Sequence, residues 1–599
     1  MKYIYTFLII IFYSINSFSQ NDTINLKEVL VTATNRIDLP FNENSRTINI
    51  ISSIQIKESN ATNVADLLQH FSGIDVRKRG VEGMQSDLYI RGGGFDQTLV
   101  LIDGVKMDDS QTGHHSMNAM ISLSNIERIE IIKGPAARIY GQNAFTGAIN
   151  IVTKKPSKSG MSFNLSRGSY DNNSIGLGLA KVDKNSAFQF YVDKQESEGY
   201  RFNTDFDNFG LYLKGTVGKY EFLSYFNERK FGANGFYASP NFKDQYEETQ
   251  TSLVSLSTKI ITDNFKITPR IYWRRNQDMY LFLRHNPSYY RNLHISNKLG
   301  AEVNMSYNSV YGKTGFGVDA NKVFLESNNL GAHNRTVLTS FLEHRFELLD
   351  AKLDITPGVA VSYYDDFGTK AFPGIDVGYQ LTDKIRTYAN VGYTYRIPTY
   401  TDLYYKSSIE QGNPDLKPES ALSEEIGLNY LHKNINFNLA FFNRNSDNLI
   451  DWTKDNVTDK WQARNFSEVT TRGLETSVSY KFNLMNFNQN FELGYTYIDD
   501  TIKDLNVAFT RYSINSMKHQ FTTQLNTQFL SFLKQSIAYR FVERTHGETY
   551  GIVDAKLIVS IKKLDFYVNI NNIFDEVYTE TNLVPMPKSN FMFGIKFQQ

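Results

Sequence analysis

Apolar and polar residues alternate with a period of two throughout the chain after about residue 160. The clearest examples are FELGYTYI from Phe491, LDFYVNINN from Leu564 and the final segment NFMFGIKFQ from Asn590. Strands with one apolar and one polar face are typical of a barrel with lipid outside and water inside. Soluble propellers and sandwiches also alternate, but the repeat of ~40–50 residues that propellers show is not visible.

The length of this region is compatible with a large transmembrane β-barrel. About 440 residues follow Gly160, which allows about 20 residues per strand and loop in a barrel of 22 antiparallel strands, whereas a tilted membrane strand needs only ~9–11. Fewer strands with longer loops also fit that length. We therefore predict a barrel over residues 159–599, most simply with 22 strands.

The region before the barrel has a mixed α/β pattern. Residues Val64 to Phe71 carry helical spacing that ends at Gly73, and the short β-type runs are LYIRGG, TLVLIDGV, ERIEIIKGP and INIVTKK. This pattern predicts a compact α/β domain over residues 36–158. A wide barrel has room for such a domain as a plug inside its lumen.

The first twenty residues, MKYIYTFLIIIFYSINSFSQ, have the charged, apolar and small-residue order of a secretory signal cut after Ser19. The alternative is an anchoring helix, although Ser14, Asn16 and Ser17 interrupt the apolar run before ~18 residues. Residues 20–35 then form a short N-terminal segment. Because no later segment could be a membrane helix, any further crossing must use a closed β-barrel.

Composition narrows the classes of function. The 599 residues contain no cysteine, and 63 basic residues balance 63 acidic ones. Neutral charge argues against nucleic acid as a partner, because binding phosphates requires a basic excess. The chain carries neither G-x-S-x-G nor H-E-x-x-H, so nothing in it indicates an enzyme. Aromatic residues make up 14% of the chain, which suits a barrel with aromatic belts at the lipid interface.

Several motifs in the same order resemble those of TonB-dependent outer-membrane receptors over essentially the whole mature length. In the plug region they are VADLLQHFSGIDVR, LYIRGGGFDQTLVLIDGV and NIERIEIIKGPAARIYGQNAFTGAINIVTKKP, and in the barrel YRIPTYTDLYY, GNPDLKPESALSEEIGL, NFSEVTTRGLETS and NINNIFDEVY. The resemblance implies a bacterial outer-membrane importer with a plug inside a 22-stranded barrel. The TonB energy-coupling protein and a scarce small-molecule ligand would be its partners.

The segment LKEVLVTAT resembles the TonB box of this family, over Glu28, Val29, Leu30, Val31, Thr32 and Ala33. An extended run rich in β-branched residues can add as a strand to the sheet edge of another protein. The alternative is an ordinary first strand of the plug. The short distance from Ser19 to the box leaves no room for an additional domain, so we expect neither the signalling nor the glycan-importing subtype.

The resemblance also suggests contacts between the plug and the barrel. Arg91 of IRGG, Lys133 of KGP, Glu425 of EEIGL and Glu475 of GLETS correspond to residues that face one another in relatives. Lysine at position 133 replaces the usual arginine and lacks its bidentate fork. The alternative is a set of solvated residues in a polar lumen.

The resemblance and the loop residues together suggest two further sites. Asp205 and Asp207 match a T-D-x-D loop that binds calcium in cobalamin receptors, and paired carboxylates can hold that hard cation, although solvated acidic loops are common. Gln85, His114 and His115 are candidates for ligand contact at the plug apex, where adjacent histidines could bind haem or a metal chelate, or be plain polar surface.

The resemblance leaves the ligand open. The size of the chain and the order of the barrel motifs are most similar to cobalamin receptors, but ferric-siderophore and haem receptors share nearly all of these motifs. Ligand choice resides in loops that vary over one scaffold. A passive porin or a surface-binding β-protein are the alternatives from other classes, and the N-terminal domain argues against a porin.

Overall fold

The structure is a computed structural model that describes residues 30–31, 37, 39–81, 84–118, 121–237, 240–503, 507–511, 516–581 and 583–599. The predicted signal segment, 1–19, lies outside these residues, as do Glu28, Val29, Thr32 and Ala33 of the predicted TonB box. Within the described part of the chain, no helix has both the length and the apolar character needed to cross a membrane.

The N-terminal domain contains short strands and helices. Its elements are β1 Leu30–Val31, β2 Leu39–Pro40, β3 Ile48–Ser52, α1 Ser53–Glu58, α2 Val64–Leu68, β4 Ile74–Lys78, β5 Ser86–Ile90, β6 Thr98–Ile102, β7 Val105–Lys106, β8 Ile126–Lys133, α3 Ala137–Tyr140 and β9 Gly147–Thr153. They surround a five-stranded sheet of order β3-β8-β9-β6-β7, with β4 and β5 as a separate pair and β1 paired with β2.

Local sequence explains where these elements begin. The Ser52 hydroxyl caps the amide of Gln55 while the Gln55 side chain returns to the Ser52 amide, so α1 starts with a capping box. Asn63 caps α2 in a similar way, through the amide of Asp66. The apolar faces of these helices and of the sheet form one core that includes Leu68, Leu88, Val100, Ile129 and Ile151.

Twenty-two long antiparallel strands surround this domain in a closed barrel, with three strands of two residues beside them. The strands are β10 Gly160–Gly168, β11 Asn173–Val182, β12 Ser186–Ser197, β13 Phe206–Val217, β14 Tyr220–Gly232, β15 Tyr246–Thr258, β16 Ile260–Ile261, β17 Phe265–Leu281, β18 Arg291–Ser309, β19 Gly312–Ser327, β20 Gly331–Leu348, β21 Leu353–Tyr364, β22 Gly368–Thr382, β23 Ile385–Arg396, β24 Glu410–Gln411, β25 Glu419–His432, β26 Ile435–Lys454, β27 Trp461–Leu484, β28 Phe487–Lys503, β29 Phe509–Thr510, β30 Met517–Leu530, β31 Leu533–Arg544, β32 Thr549–Ile561, β33 Leu564–Asn571 and β34 Asn590–Gln598; helix α4 Tyr400–Tyr404 lies between β23 and β24.

The barrel closes where β34 pairs with β10. Phe597 lies opposite Phe163, and their rings stack with centroids 5.4 Å apart. The chain then continues in the same ladder, because Gln598 lies opposite Ser162 and the Gln599 amide donates to the carbonyl of Met161 at 3.0 Å. The two glutamines after Phe597 therefore extend the closing strand.

The two ends of the barrel differ in the length of their connections. Turns such as 183–185 and 218–219 join strands at one end, whereas connections such as 233–245, 282–290 and 572–589 join them at the other. In outer-membrane barrels the short turns face the periplasm and the long loops face the outside. The long-loop end is therefore the outer end of this molecule.

Candidate functional site

Four charged side chains meet where the plug touches the barrel wall. The Arg91 guanidinium donates to Glu475 Oε2 at 2.9 Å through Nε and also contacts the Glu425 carboxylate. Lys133 Nζ contacts the other oxygen of Glu475 and donates to the Ser72 carbonyl at 2.5 Å. The four side chains are at most 2% exposed. The structure thus brings together the plug and barrel residues that the resemblance singled out.

The remaining bonding capacity of this cluster is largely filled. Glu425 Oε1 accepts from the Thr47 amide at 3.1 Å and from Asn390 Nδ2 at 3.1 Å. Burial lowers the pKa of Lys133, while the Glu475 carboxylate opposes that shift. Lysine lacks the bidentate guanidinium group of arginine, but the ammonium group of Lys133 contacts a carboxylate and a backbone carbonyl at once.

Gly73 is needed beside this cluster for two reasons. Its φ of +71° lies in the left-handed region that favours glycine. A Cβ at this position would also lie 2.5 Å from Glu475 Oε2. The glycine that the sequence places at the end of the helical pattern therefore also lets the plug approach the ion cluster.

The structure contains further ion pairs between plug and barrel that the sequence did not indicate. Arg46 and Arg138 of the plug both donate to Asp376 at 2.6 Å, and Arg138 also reaches Glu343. Asp75 in β4 accepts from Arg544 at 2.8 Å, but here the arginine belongs to the barrel. Charged residues at inward-facing strand positions are the only sequence signal for such pairs, because their partners come from distant parts of the chain.

A cavity of about 700 Å³ lies at the outer end, between the plug apex and the barrel wall. Its size falls within the ~300–1,000 Å³ typical of ligand sites. Plug loops form its floor, and the outer ends of strands and long loops form its sides. Aromatic residues line much of it, namely Tyr89, Phe95, Phe236, Tyr237, Tyr280, Phe282, Tyr289, Tyr290, Tyr405 and Trp452.

Carboxylates outnumber arginines among the residues that line this cavity. The arginines are Arg77, Arg79, Arg444 and Arg511, whereas the carboxylates are Asp96, Glu247, Asp278, Asp402, Glu410, Glu419, Asp451 and Asp500. Charges in a confined cleft select ligands by their sign. Arg396 is ion-paired with Asp96, Asp402 and Glu419, and Arg511 with Glu410, so part of this acidic charge is already neutralised.

Gln85, His114 and His115 all line this cavity. His114 Nδ1 bonds to Asp87 Oδ1 at 2.7 Å, and its ring stacks on Phe95 with centroids 3.9 Å apart. Burial lowers the pKa of His114, while Asp87 opposes that shift. Gln85 donates to the same Asp87 oxygen at 3.1 Å. The three candidates therefore lie together on the cavity floor.

Asp205 and Asp207 lie in ion pairs at the surface. The Asp205 carboxylate accepts from Arg284 at 2.6 and 2.8 Å, and Asp207 contacts Lys194. A calcium ion at these carboxylates would have to displace both cations. Calcium binding here stays a prediction.

The described part of the TonB-box segment is a two-residue strand. Leu30 lies opposite Pro40 and Val31 opposite Leu39 in an antiparallel pair. This pair is separate from the five-stranded sheet of the plug. The role of the segment as a TonB box stays a prediction.

Comparison with known families agrees with this architecture. The TonB dependent receptor-like β-barrel family matches residues 140–573, and the TonB-dependent receptor plug domain matches residues 40–148. Together they span both parts of the fold, and the barrel match alone exceeds half of the chain.

The sequence identity to individual relatives is low. The chain is 23% identical over 585 residues to a vitamin B12 transporter BtuB of Photobacterium profundum, covering 92% of each chain, and 26% identical to one of Vibrio vulnificus, covering 77% of this chain and 76% of the other. Among solved structures, the ferric-catecholate import receptor Fiu of E. coli K12 aligns with a TM-score of 0.77 at 18% identity, over 96% of this chain and 100% of that one. The matches to the barrel and plug family models show that the chain belongs to the TonB-dependent receptor family of outer-membrane transporters.

Proposed function

We propose that this receptor imports cobalamin or a closely related corrinoid across the outer membrane. The observation that carries the proposal is the outer cavity, with its aromatic walls and its excess of carboxylates over arginines. The similarity of the chain to vitamin B12 transporters from two bacteria supports it as well.

Charge distinguishes the two main candidate ligands. A ferric catecholate is a strong anion, and placing it against many carboxylates costs electrostatic free energy that a few arginines would have to offset. A corrinoid presents amides around a flat macrocycle and carries little net charge. Tyrosine and tryptophan side chains suit such a ligand, because they offer apolar faces together with polar atoms for amide groups.

We also propose that import is driven by TonB through the segment that includes Leu30 and Val31. Strand addition requires an extended segment with free backbone groups. A two-residue pairing with β2 is a weak contact to give up, since it fixes few backbone hydrogen bonds. The segment can therefore exchange β2 for the edge of a partner sheet.

Direct binding tests the choice of ligand. We expect the purified receptor in detergent to bind cyanocobalamin with submicromolar affinity and to bind ferric enterobactin at least tenfold more weakly. Tyr405→Ala should weaken corrinoid binding because it removes an aromatic wall of the cavity, whereas Tyr311→Ala, at an exposed residue between β18 and β19, serves as the control. The reverse ligand preference would assign the cavity to ferric chelates.

Growth tests transport itself. A deletion strain should fail on limiting cobalamin and recover with the wild-type gene, while its growth on limiting iron stays unchanged. Failure on iron alone would overturn the proposed ligand and leave the family assignment intact.

A further inference from the structure

Three side chains from three separated segments converge on the wall of the outer cavity. His115 lies in the plug, in the 3₁₀ turn Gly113–Met117, while Glu247 is the second residue of β15 and Asp278 lies near the end of β17. One ligand atom of each lies within 4.8 Å of the others, and His115 Nε2 is 3.6 Å from Asp278 Oδ2. The three residues are 5%, 3% and 8% exposed, respectively.

The barrel register explains why the two carboxylates meet. Glu247 lies opposite Tyr280 and Thr249 opposite Asp278, so the two acids are diagonal neighbours on the same inward face of adjacent strands. The 3₁₀ turn of the plug apex brings His115 against them. Plug and barrel therefore contribute to the cluster together.

Some polar atoms of this cluster have no hydrogen-bond partner among the residues that the structure describes. Among the described residues, His115 makes no hydrogen bond through either ring nitrogen, and the fully buried Asp278 Oδ1 accepts none. Asp278 Oδ2 accepts from Gln111 at 3.0 Å, and Glu247 accepts from the Tyr237 hydroxyl. A buried polar atom without a protein partner calls for an explanation, and a bound ion or a water can fill its bonding capacity.

If both carboxylates of this confined pair are ionised, they repel each other, and either a proton on one of them or a cation between them offsets the repulsion. Arg79, another residue of the cavity wall, is ion-paired with Asp87 and also lies near enough to Glu247 to offset part of its charge. The carboxylates of Glu247 and Asp278 form no ion pair with lysine or arginine within the part of the chain that the structure describes. A positive ion between them would relieve the repulsion.

The ligand set indicates which ion fits. One imidazole nitrogen and two carboxylate oxygens suit a first-row divalent transition metal better than calcium, which takes oxygen ligands only. Bond lengths of ~2.0–2.2 Å place neighbouring ligand atoms of a tetrahedral zinc site about 3.3–3.6 Å apart. The His115–Asp278 distance of 3.6 Å lies at the upper end of that range.

The geometry points to a binding site for a divalent transition-metal ion, formed by His115 of the plug with Glu247 and Asp278 of the barrel. An ion there would join the plug apex to the wall of the ligand cavity and add positive charge to an acidic lining. This inference goes beyond the proposed function, because it holds whichever ligand the receptor imports.

Zinc titration of the purified, EDTA-stripped full-length protein tests the site. We expect one saturable Zn²⁺ site per chain in the wild type, weakened at least tenfold in His115→Gln, Glu247→Gln and Asp278→Asn. Glu248→Gln alters the next residue of β15, and His285→Gln alters an exposed loop histidine; both should retain wild-type affinity. Heat-modifiable migration on a gel verifies that each variant is a folded barrel.

Cobalt provides an independent signal. Co²⁺ bound by nitrogen and oxygen ligands should give visible d–d absorption bands in the wild type that His115→Gln changes and His285→Gln does not. Zn²⁺ should also raise the unfolding temperature of the wild type, because it binds only the seated plug. The absence of saturable binding, or wild-type affinity in all three cluster variants, would overturn the proposal. A fold failure of one variant leaves the other two and the cobalt spectrum as tests.

Discussion

Arg91 illustrates how one plug residue depends on the barrel. Its guanidinium contacts two glutamates from different strands, and it also lies over the Phe442 ring at 4.5 Å. Such a buried network adds little net stability over an apolar packing, but removing one member leaves a buried charge without compensation. The network therefore holds the plug in one position and penalises any departure from it.

We expect Arg91→Ala to loosen the plug. The change leaves Glu425 without its cation and weakens the neutralisation of Glu475, at a cost of about 3–5 kcal/mol. Cells that carry the variant should leak large antibiotics such as vancomycin through the outer membrane. Arg128→Ala is the matched control, since that arginine pairs with Glu130 inside the plug. Equal leakage in both variants, at equal protein levels, would contradict a specific role for Arg91.

A second residue, Asp75, makes the stability of the fold depend on pH. Burial raises the pKa of the Asp75 carboxyl, but Arg544 and then Arg77 outweigh this effect, so the pKa lies below its usual value. Because the pKa is lower in the folded state, the ionised Asp75 carboxylate stabilises the fold fully above the unfolded pKa of ~3.9. This stabilisation is lost as the pH falls through the folded pKa.

We therefore expect Asp75→Asn to melt at a lower temperature than the wild type at pH 6, and the difference to shrink as the pH falls below about 4. Calorimetry of both proteins between pH 6 and pH 2 measures it. A difference that stays constant over this range would show that the Asp75 charge contributes nothing.

At the scale of the element, the alternation of each strand separates lipid from lumen. Val568 in β33 lies opposite Leu557 of β32 and Phe593 of β34, and these neighbours are 42% and 47% exposed. The three form an apolar row on the outer face. The next residue, Asn569, is 2% exposed, and its amide donates to the Asn60 carbonyl of the plug at 3.4 Å.

We expect Val568→Arg to cost ~2–4 kcal/mol, because it places a charge in the lipid-facing row. The fraction of folded barrel, measured by heat-modifiable migration in urea, should fall. Asn569 is packed too tightly against the plug to serve as a neutral comparison. Ser479→Arg is a better control, since Ser479 faces a lumen cavity of about 320 Å³ and lies opposite Glu492. Equal losses in both variants would mean that the faces are assigned wrongly.

At the scale of the whole molecule, the ligand cavity lies at the outer end, whereas Phe41, directly after β2, lines a cavity of about 320 Å³ near the short turns of the other end. A bilayer is about 40 Å thick. Binding at the outer end therefore cannot require direct contact with the segment that TonB would pull. The plug connects the two ends, because its apex forms the cavity floor and its first strands follow the segment.

We expect Val31→Pro to abolish uptake while ligand binding stays within about twofold of the wild type. Proline removes a backbone donor and fixes φ, which weakens strand addition to a partner sheet. Val31→Ala keeps the donor and should still transport. Radiolabelled cobalamin separates binding at 4 °C from energised accumulation at 37 °C. Transport that survives the proline would contradict coupling through this segment, and lost binding would mean that the segment belongs to the plug structure.

The sequence alone determined the class of fold, for a physical reason. Alternation with a period of two is a local property that lipid on one side and water on the other impose on every strand. The helical spacing from Val64 predicted α2, but the helix ends at Leu68 and not at Gly73. The motifs also pointed to Arg91, Lys133, Glu425 and Glu475. The motifs did not show that Lys133, which lacks the bidentate group of arginine, would complete a fully buried ion cluster.

Tertiary structure decided what depends on barrel register and on the seating of the plug. Asp376 and Arg544 find their plug partners only because strands distant in sequence face the same point of the lumen. Glu247 and Asp278 become neighbours through the pairing of β15 with β17, and His115 reaches them from another domain. The shape and the charge of the ligand cavity likewise depend on contacts between loops that are distant in the sequence. A local pattern of residues does not encode such contacts.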